Sequence, residues 1–214
     1  MPHVKMARKS TDTDMTPFVD IAFLILSFFI MATKFKPPEP VKITTPNSVS
    51  ADLLKEGDAM LITFDKSNKV YININTKNPA KMDEIINGIN TSRSLGLSAA
   101  EMANFKKSQI IGVPFNKLKG LLSLPPEDQE KVAQDGIPVL DTLNNQLVWW
   151  VAETNKAFAG GKFLYMIKGD NDTKFPTFEA VIDALRKNEI FKYNLITSQE
   201  GAPAGTELYK ERNK

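Results

Sequence analysis

The sequence predicts a single transmembrane helix followed by a small α+β domain, a hairpin and a strand–helix–strand unit, that carries a helical insertion. Three observations lead there. A segment beginning at Pro17 is apolar on every face, and four prolines fall within the ten positions from Pro37 to Pro46. Beyond them, β-rich runs near both ends of the remainder flank a long region with helical patterning. A chain of 214 residues has room for one or two small domains with a real core.

Composition narrows the chemistry. With 27 Lys+Arg against 25 Asp+Glu the chain is near neutral, which excludes a strongly electrostatic nucleic-acid binder. The absence of cysteine removes disulfides, thiolate nucleophiles and zinc-thiolate or iron–sulfur sites. The only histidine, His3, lies in the N-terminal tail, so histidine bases and histidine metal clusters are excluded too. No enzyme activity, metal or other cofactor is expected.

Residues 1–15 read as a short polar tail and 16–35 as the transmembrane helix. Between Ile21 and Ala32 the only polar side chain is Ser27, and a helix apolar all round is either deeply buried or in lipid. The 19 residues from Pro17 to Phe35 make about 28 Å of helix, enough to span a hydrocarbon core of about 30 Å. Ten Phe, Val, Ile and Leu residues between Phe18 and Ile30 favour insertion by about 3–6 kcal/mol together. A central acid costs roughly 2.5–3.5 kcal/mol, and Asp20 is off-centre. A cleaved signal peptide fits less well, since an acid abuts the apolar run and no Ala-x-Ala-like site follows it. A buried helix of a soluble domain is the other rival. Orientation is tied on charge: Lys5, Arg8 and Lys9 precede the helix, and Lys34, Lys36 and Lys42 follow it.

Asp20 admits two readings. With Thr16 as N-cap and Pro17 as the first helical residue, it ends the first turn, where an acid gains about 0.3–1 kcal/mol from the helix dipole. Alternatively, Thr16, Asp20, Phe23, Leu24 and Ser27 share one stripe at 100° per residue. A carboxylate within a membrane faces a partner or a wet cavity, which predicts a helix packed on others with an acid that gains and loses a proton. On the residues alone the two stand level.

The run Asp14-Met-Thr-Pro-Phe-Val-Asp20, continued by Ile-Ala-Phe-Leu-Ile-Leu-Ser27-Phe-Phe-Ile-Met31, resembles the membrane segment of the ExbD/TolR family of biopolymer-transport proteins. The resemblance implies that Asp20 is the proton-carrying residue of an ion-driven motor, with Thr16, Pro17 and Ser27 on the proton path or in helix packing. It implies a single-pass protein of the bacterial inner membrane, N-terminus cytoplasmic and C-terminal domain periplasmic. It further implies a homodimer in the lipid bilayer, within a ring of ExbB-like subunits, engaging a TonB-like protein that powers outer-membrane uptake. TolR-like envelope maintenance or a gliding motor would use the same chemistry. A plain membrane-anchored scaffold is the rival class.

Residues 36–55 read as an extended Pro-rich linker, and 56–200 as the α+β domain. Ala59–Phe64 and Val70–Ile74 around the polar Asp65–Lys69 make a hairpin. Phe163–Lys168 is a strand, Pro176–Lys187 an amphipathic helix and Lys192–Ser198 a closing strand. This arrangement also looks like the family's periplasmic domain. An insertion spans roughly 76–138. Helices are expected at Lys81–Ile89, Ala99–Lys107 and Val139–Phe158, with breaks at Gly112–Pro114, Pro125-Pro126 and Gly136–Pro138. Trp149-Trp150 could mark a partner surface, though one ring of such a pair is more often in the core. Asp170-Asn-Asp172 lacks the glycine and distal glutamate of a calcium loop and reads as a solvated turn. Residues 201–214 read as a flexible tail.

Overall fold

The computed structural model describes residues 15–32, 44–45, 47–48, 57–141 and 143–199. Nearly all of the expected N-terminal tail, most of the linker and the C-terminal tail lie outside the described residues. The chain divides into two compact units, Met1–Glu39 and Pro40–Lys214.

The first unit holds α1 (Thr16–Ala32), 17 residues whose only charged side chain is Asp20. At 1.5 Å per residue it is about 25 Å long, short of the roughly 30 Å hydrocarbon thickness. Among the described residues, no helix is long and apolar enough to cross a membrane. The predicted helix ran to Phe35, and residues 33–35 lie outside the described residues. The start agrees at Thr16, but as a helical residue rather than the cap. The Val19 N–H donates to the Met15 carbonyl at 3.0 Å, so Thr16 is helical and no acid falls in the first turn. Asp20 belongs to the second turn, and because the dipole field fades beyond the first, the dipole reading of this acid loses ground.

The second unit is a mixed four-stranded sheet with helices packed on one face. β1 (Asn47–Ser48) comes first in the chain, and β2 (Ala59–Phe64) and β3 (Val70–Asn75) form the expected antiparallel hairpin. Asp65 builds its turn by accepting the Ser67 and Lys69 N–H groups at 2.8 and 3.0 Å, and Asn68 takes a positive φ of 60°. β4 (Leu164–Gly169) lies parallel to β2, and β5 (Asn194–Ile196) parallel to β4, giving the order β3-β2-β4-β5. β6 (Ser198–Gln199) pairs in parallel with β1, so part of the expected linker is strand.

Alternation decides the buried face. Met60, Ile62 and Phe64 of β2, Val70 and Ile72 of β3, and Tyr165 and Ile167 of β4 all enter one core. Three helices supply its other layer: α2 (Pro79–Arg93), α6 (Leu147–Ala157) and α7 (Phe175–Arg186). Ile85, Ile86 and Ile89 come from α2, Trp150 and Val151 from α6, and Val181 and Leu185 from α7. Each such burial is worth about 1.5–3 kcal/mol. Asn78 starts α2 by accepting the Ala80 N–H at 3.1 Å, with Pro79 at the first helical position and Ser94 closing it at φ 51°.

Three short helices complete the domain: α3 (Ala99–Phe105), α4 (Phe115–Leu122) and α5 (Pro126–Gln129). α3 opens with a capping box between Ser98 and Glu101. The breaks expected at Gly112–Pro114 and Gly136–Pro138 line the free edge of β3. Ile111 exchanges backbone hydrogen bonds of 2.8 and 2.9 Å with Ile72, and the Ile137 N–H donates to Val70 at 2.8 Å. The inserted chain thus covers an edge that would otherwise offer unpaired backbone groups. Gly112 makes this possible, because a Cβ there would strike the Tyr71 ring.

Three elements depart from the sequence reading. The helix expected over Val139–Phe158 starts only at Leu147. Asp141 and Asn145 turn their side chains onto the N–H groups of Leu143 and Leu147, at 3.0 and 3.1 Å, which holds the backbone in turns. The closing strand expected over Lys192–Ser198 is two short pieces, β5 and β6. Asp170 is buried rather than solvated: its carboxylate accepts the N–H groups of Thr44 and Asp172 at 3.0 Å each.

Candidate functional site

α1 carries the predicted site residues. Thr16, Pro17 and Asp20 are exposed and Ser27 is half-buried. The Ser27 hydroxyl donates to the Leu24 carbonyl at 2.9 Å, so its hydrogen is used within the helix. The Asp20 carboxylate makes no hydrogen bond or ion pair with the described residues. Around it, Phe18, Val19, Ile21, Phe23 and Leu24 are all more than half exposed. A contiguous apolar surface of this extent marks a protein or membrane interaction site. A carboxylate set in it is either neutralised or met by a partner group when that surface is covered. The helix therefore places one titratable group where its charge state matters to whatever covers α1.

The tryptophan pair divides. Trp150 is 0% exposed, with ring centroids 5.9 Å from Phe105 and 5.7 Å from Phe115. Trp149 is 40% exposed, and the Arg93 guanidinium lies 4.9 Å from its ring centroid and 5.3 Å from that of Phe115. Of the two, only Trp149 reaches the surface.

Sequence reading missed a groove of about 280 Å³ at the sheet's other edge. Phe178 and the exposed Phe175 of α7 form one wall, and Leu195 of the short edge strand β5 forms another. Gly169 lines it in close approach to the Phe64 ring, which a Cβ there would strike. Asp170 sits at its end, its carboxyl held below the usual carboxylate range by the N–H groups of Asp172 and Thr44. The clue in the sequence was Phe175 just before Pro176: an aromatic at a helix start that the amphipathic pattern does not bury.

An apolar helix with one carboxylate, preceding in the chain an α+β domain whose β5 edge is unpaired among the described residues, defines a subunit whose surfaces call for partners. Residues 6–200 match the biopolymer transport protein ExbD/TolR family, and the chain belongs to that family. No curated protein and no solved structure gave a significant match.

Proposed function

We propose that the chain is the proton-motive-force-driven motor subunit of an ExbD-like complex that energises TonB-dependent transport across the outer membrane. The observation that carries this reading is Asp20, the single charge in an otherwise apolar α1 whose surroundings are open to partners. In this reading α1 and the residues beyond it anchor the chain in the inner membrane, with the N-terminus cytoplasmic and the α+β domain periplasmic. ExbB-like subunits surround a pair of these helices. Asp20 takes up a proton from the outer side and releases it inward. Neutralising an acid in lipid surroundings removes a cost of a few kcal/mol, enough to bias two packing arrangements of the helices. Thr16 and Ser27, on the same stripe, line the route or the helix contact. The α+β domain works as a partner-binding module rather than an enzyme. The edge at β5, unpaired among the described residues, with Leu195 in the strand and Phe175 across the groove, suits an extended segment of a TonB-like protein adding as a strand.

Asp20→Asn in cells tests the reading. Energised uptake is lost while protein level and membrane insertion stay normal; full uptake by that variant would sink it. A TolR-like role uses the same chemistry, and the phenotype separates the two: lost uptake for the first, a leaky envelope with intact uptake for the second.

A further inference from the structure

On the far side of the domain from β5, the inserted chain and the start of α6 enclose a groove of about 550 Å³, within the roughly 300–1,000 Å³ range of binding clefts. Its floor is apolar, made by Leu95, Pro114 and Pro138. Its polar lining is all hydrogen-bond donor in character or amide: Arg93, Asn116, Asn144 and Gln146, with no carboxylate among the described lining residues. The Gln146 carbonyl oxygen is already taken by the Phe115 N–H at 2.8 Å, which leaves its NH₂ as the free end.

Arg93 is the one cation among the described lining residues, and it has no ion pair among the described residues. It is instead fixed between the Phe115 and Trp149 rings. That arrangement holds the guanidinium in place at about 0.5–1 kcal/mol per exposed cation–π contact and leaves its donors without an acceptor among the described residues. Trp and Arg are both residue types enriched in binding hot spots.

We propose that this groove docks an extended segment of a partner protein that carries an acidic side chain between apolar residues. The carboxylate meets Arg93, with the Asn116 and Asn144 amides beside it, and the apolar neighbours lie on the prolines of the floor. Charge complementarity selects the acid. Two leucines select a protein segment over a small carboxylate. Leu143, 98% exposed, is the chain neighbour of the lining residue Asn144, and Leu140, 60% exposed, follows Pro138 by two residues, which offers apolar side chains to a longer segment rather than to a small molecule. A saccharide is disfavoured because Arg93 already occupies one face of the Trp149 ring. The proposal is independent of whether Asp20 carries protons.

The test uses the full chain in detergent micelles and a phage library of random twelve-residue peptides. Enriched peptides carry Asp or Glu next to apolar residues, and their binding falls at least tenfold with Arg93→Glu and with Trp149→Ala. Arg93→Lys, which keeps the charge without the planar fork, gives an intermediate loss. Arg93 is exposed, so unchanged far-UV circular dichroism verifies that the variants fold. No enrichment, enriched peptides without acids, or binding indifferent to Arg93→Glu overturns the proposal. So does self-association by light scattering that Arg93→Glu abolishes, which assigns the groove to a second copy. Binding of chitotetraose that needs Trp149 but not Arg93 overturns it in favour of a saccharide.

Discussion

Two adjacent tryptophans offer a sharp test of the core. Trp150 is fully buried between Phe105 and Phe115, where its ring joins α6 to the inserted chain. Truncation to Ala removes a large aromatic from a closed site, which costs about 3–5 kcal/mol. That is a large share of the roughly 5–15 kcal/mol that holds a domain folded. At about 2–4 °C per kcal/mol for a domain of this size, the melting temperature falls by about 6–20 °C. Trp149→Ala loses only half-exposed surface and a stacked Arg93, together about 1 kcal/mol or less. Trp150→Phe separates packing from polarity. The indole N–H of Trp150 finds no acceptor among the described residues, and leaving a buried donor unpaired costs about 1–3 kcal/mol. Phe keeps most of the stacking and removes that donor, so it costs less than half as much as Ala. Urea denaturation of the full chain in detergent, followed by far-UV circular dichroism, gives the three midpoints. Equal effects of the two Ala variants would refute the placement of Trp150 as the central ring, and a Phe variant as damaging as Ala would refute the polarity argument.

Further outcomes follow from single positions. Gly112→Ala drives a Cβ into the Tyr71 ring and lowers stability by about 1–3 kcal/mol, whereas Gly120→Ala in α4, with nothing within 4 Å, is neutral or stabilising by about 0.5–1 kcal/mol; thermal melts compare them. Asp170 gives a pH dependence. Its carboxyl is held low by the N–H groups of Asp172 and Thr44, so its contribution is complete above the unfolded value of about 3.9 and is lost as pH falls through the folded one. The difference in melting temperature between the native chain and Asp170→Asn therefore stays constant from pH 7 to about 5 and shrinks toward pH 2. A difference that persists at pH 2 contradicts the assignment.

Much of the architecture was legible because local signals and tertiary packing agree. The hairpin at Ala59–Asn75 combines alternating β-branched residues with an Asp/Asn turn, and α7 has Pro176 in its first turn and a buried face. What could not be read depends on contacts distant in sequence. Phe115–Leu122 and Pro126–Gln129 are short; the first is held by Phe115, Leu118, Leu121 and Leu122 entering the core, and the second by the buried Gln129 side chain bonded to Ser108 and the Leu124 carbonyl. Val139–Gln146 has helical apolar spacing, but Asp141 and Asn145 bond their own backbone instead. The edge pairing of Ile111 and Ile137 with β3 rests on two isolated residues that no strand pattern announces. In α1 the residue types were plain and the start at Thr16 agrees, but the Met15 carbonyl opens the helix, so Thr16 is its first residue rather than its cap and Asp20 falls in the second turn. The Arg93 groove was invisible for a similar reason, since Arg93, Phe115 and Trp149 meet only in the folded chain.

The central claim is that Asp20 carries protons, and proton movement itself tests it most directly. Membrane vesicles holding this chain with an ExbB/TolQ-type subunit, the kind its family works with, loaded with a pH-sensitive dye and subjected to a pH gradient, report that movement. The native pair gives a proton flux that Asp20→Asn abolishes and Asp20→Glu retains in part, at equal amounts of assembled complex. An unchanged flux with Asp20→Asn would contradict the account and return this acid to a structural role in its helix.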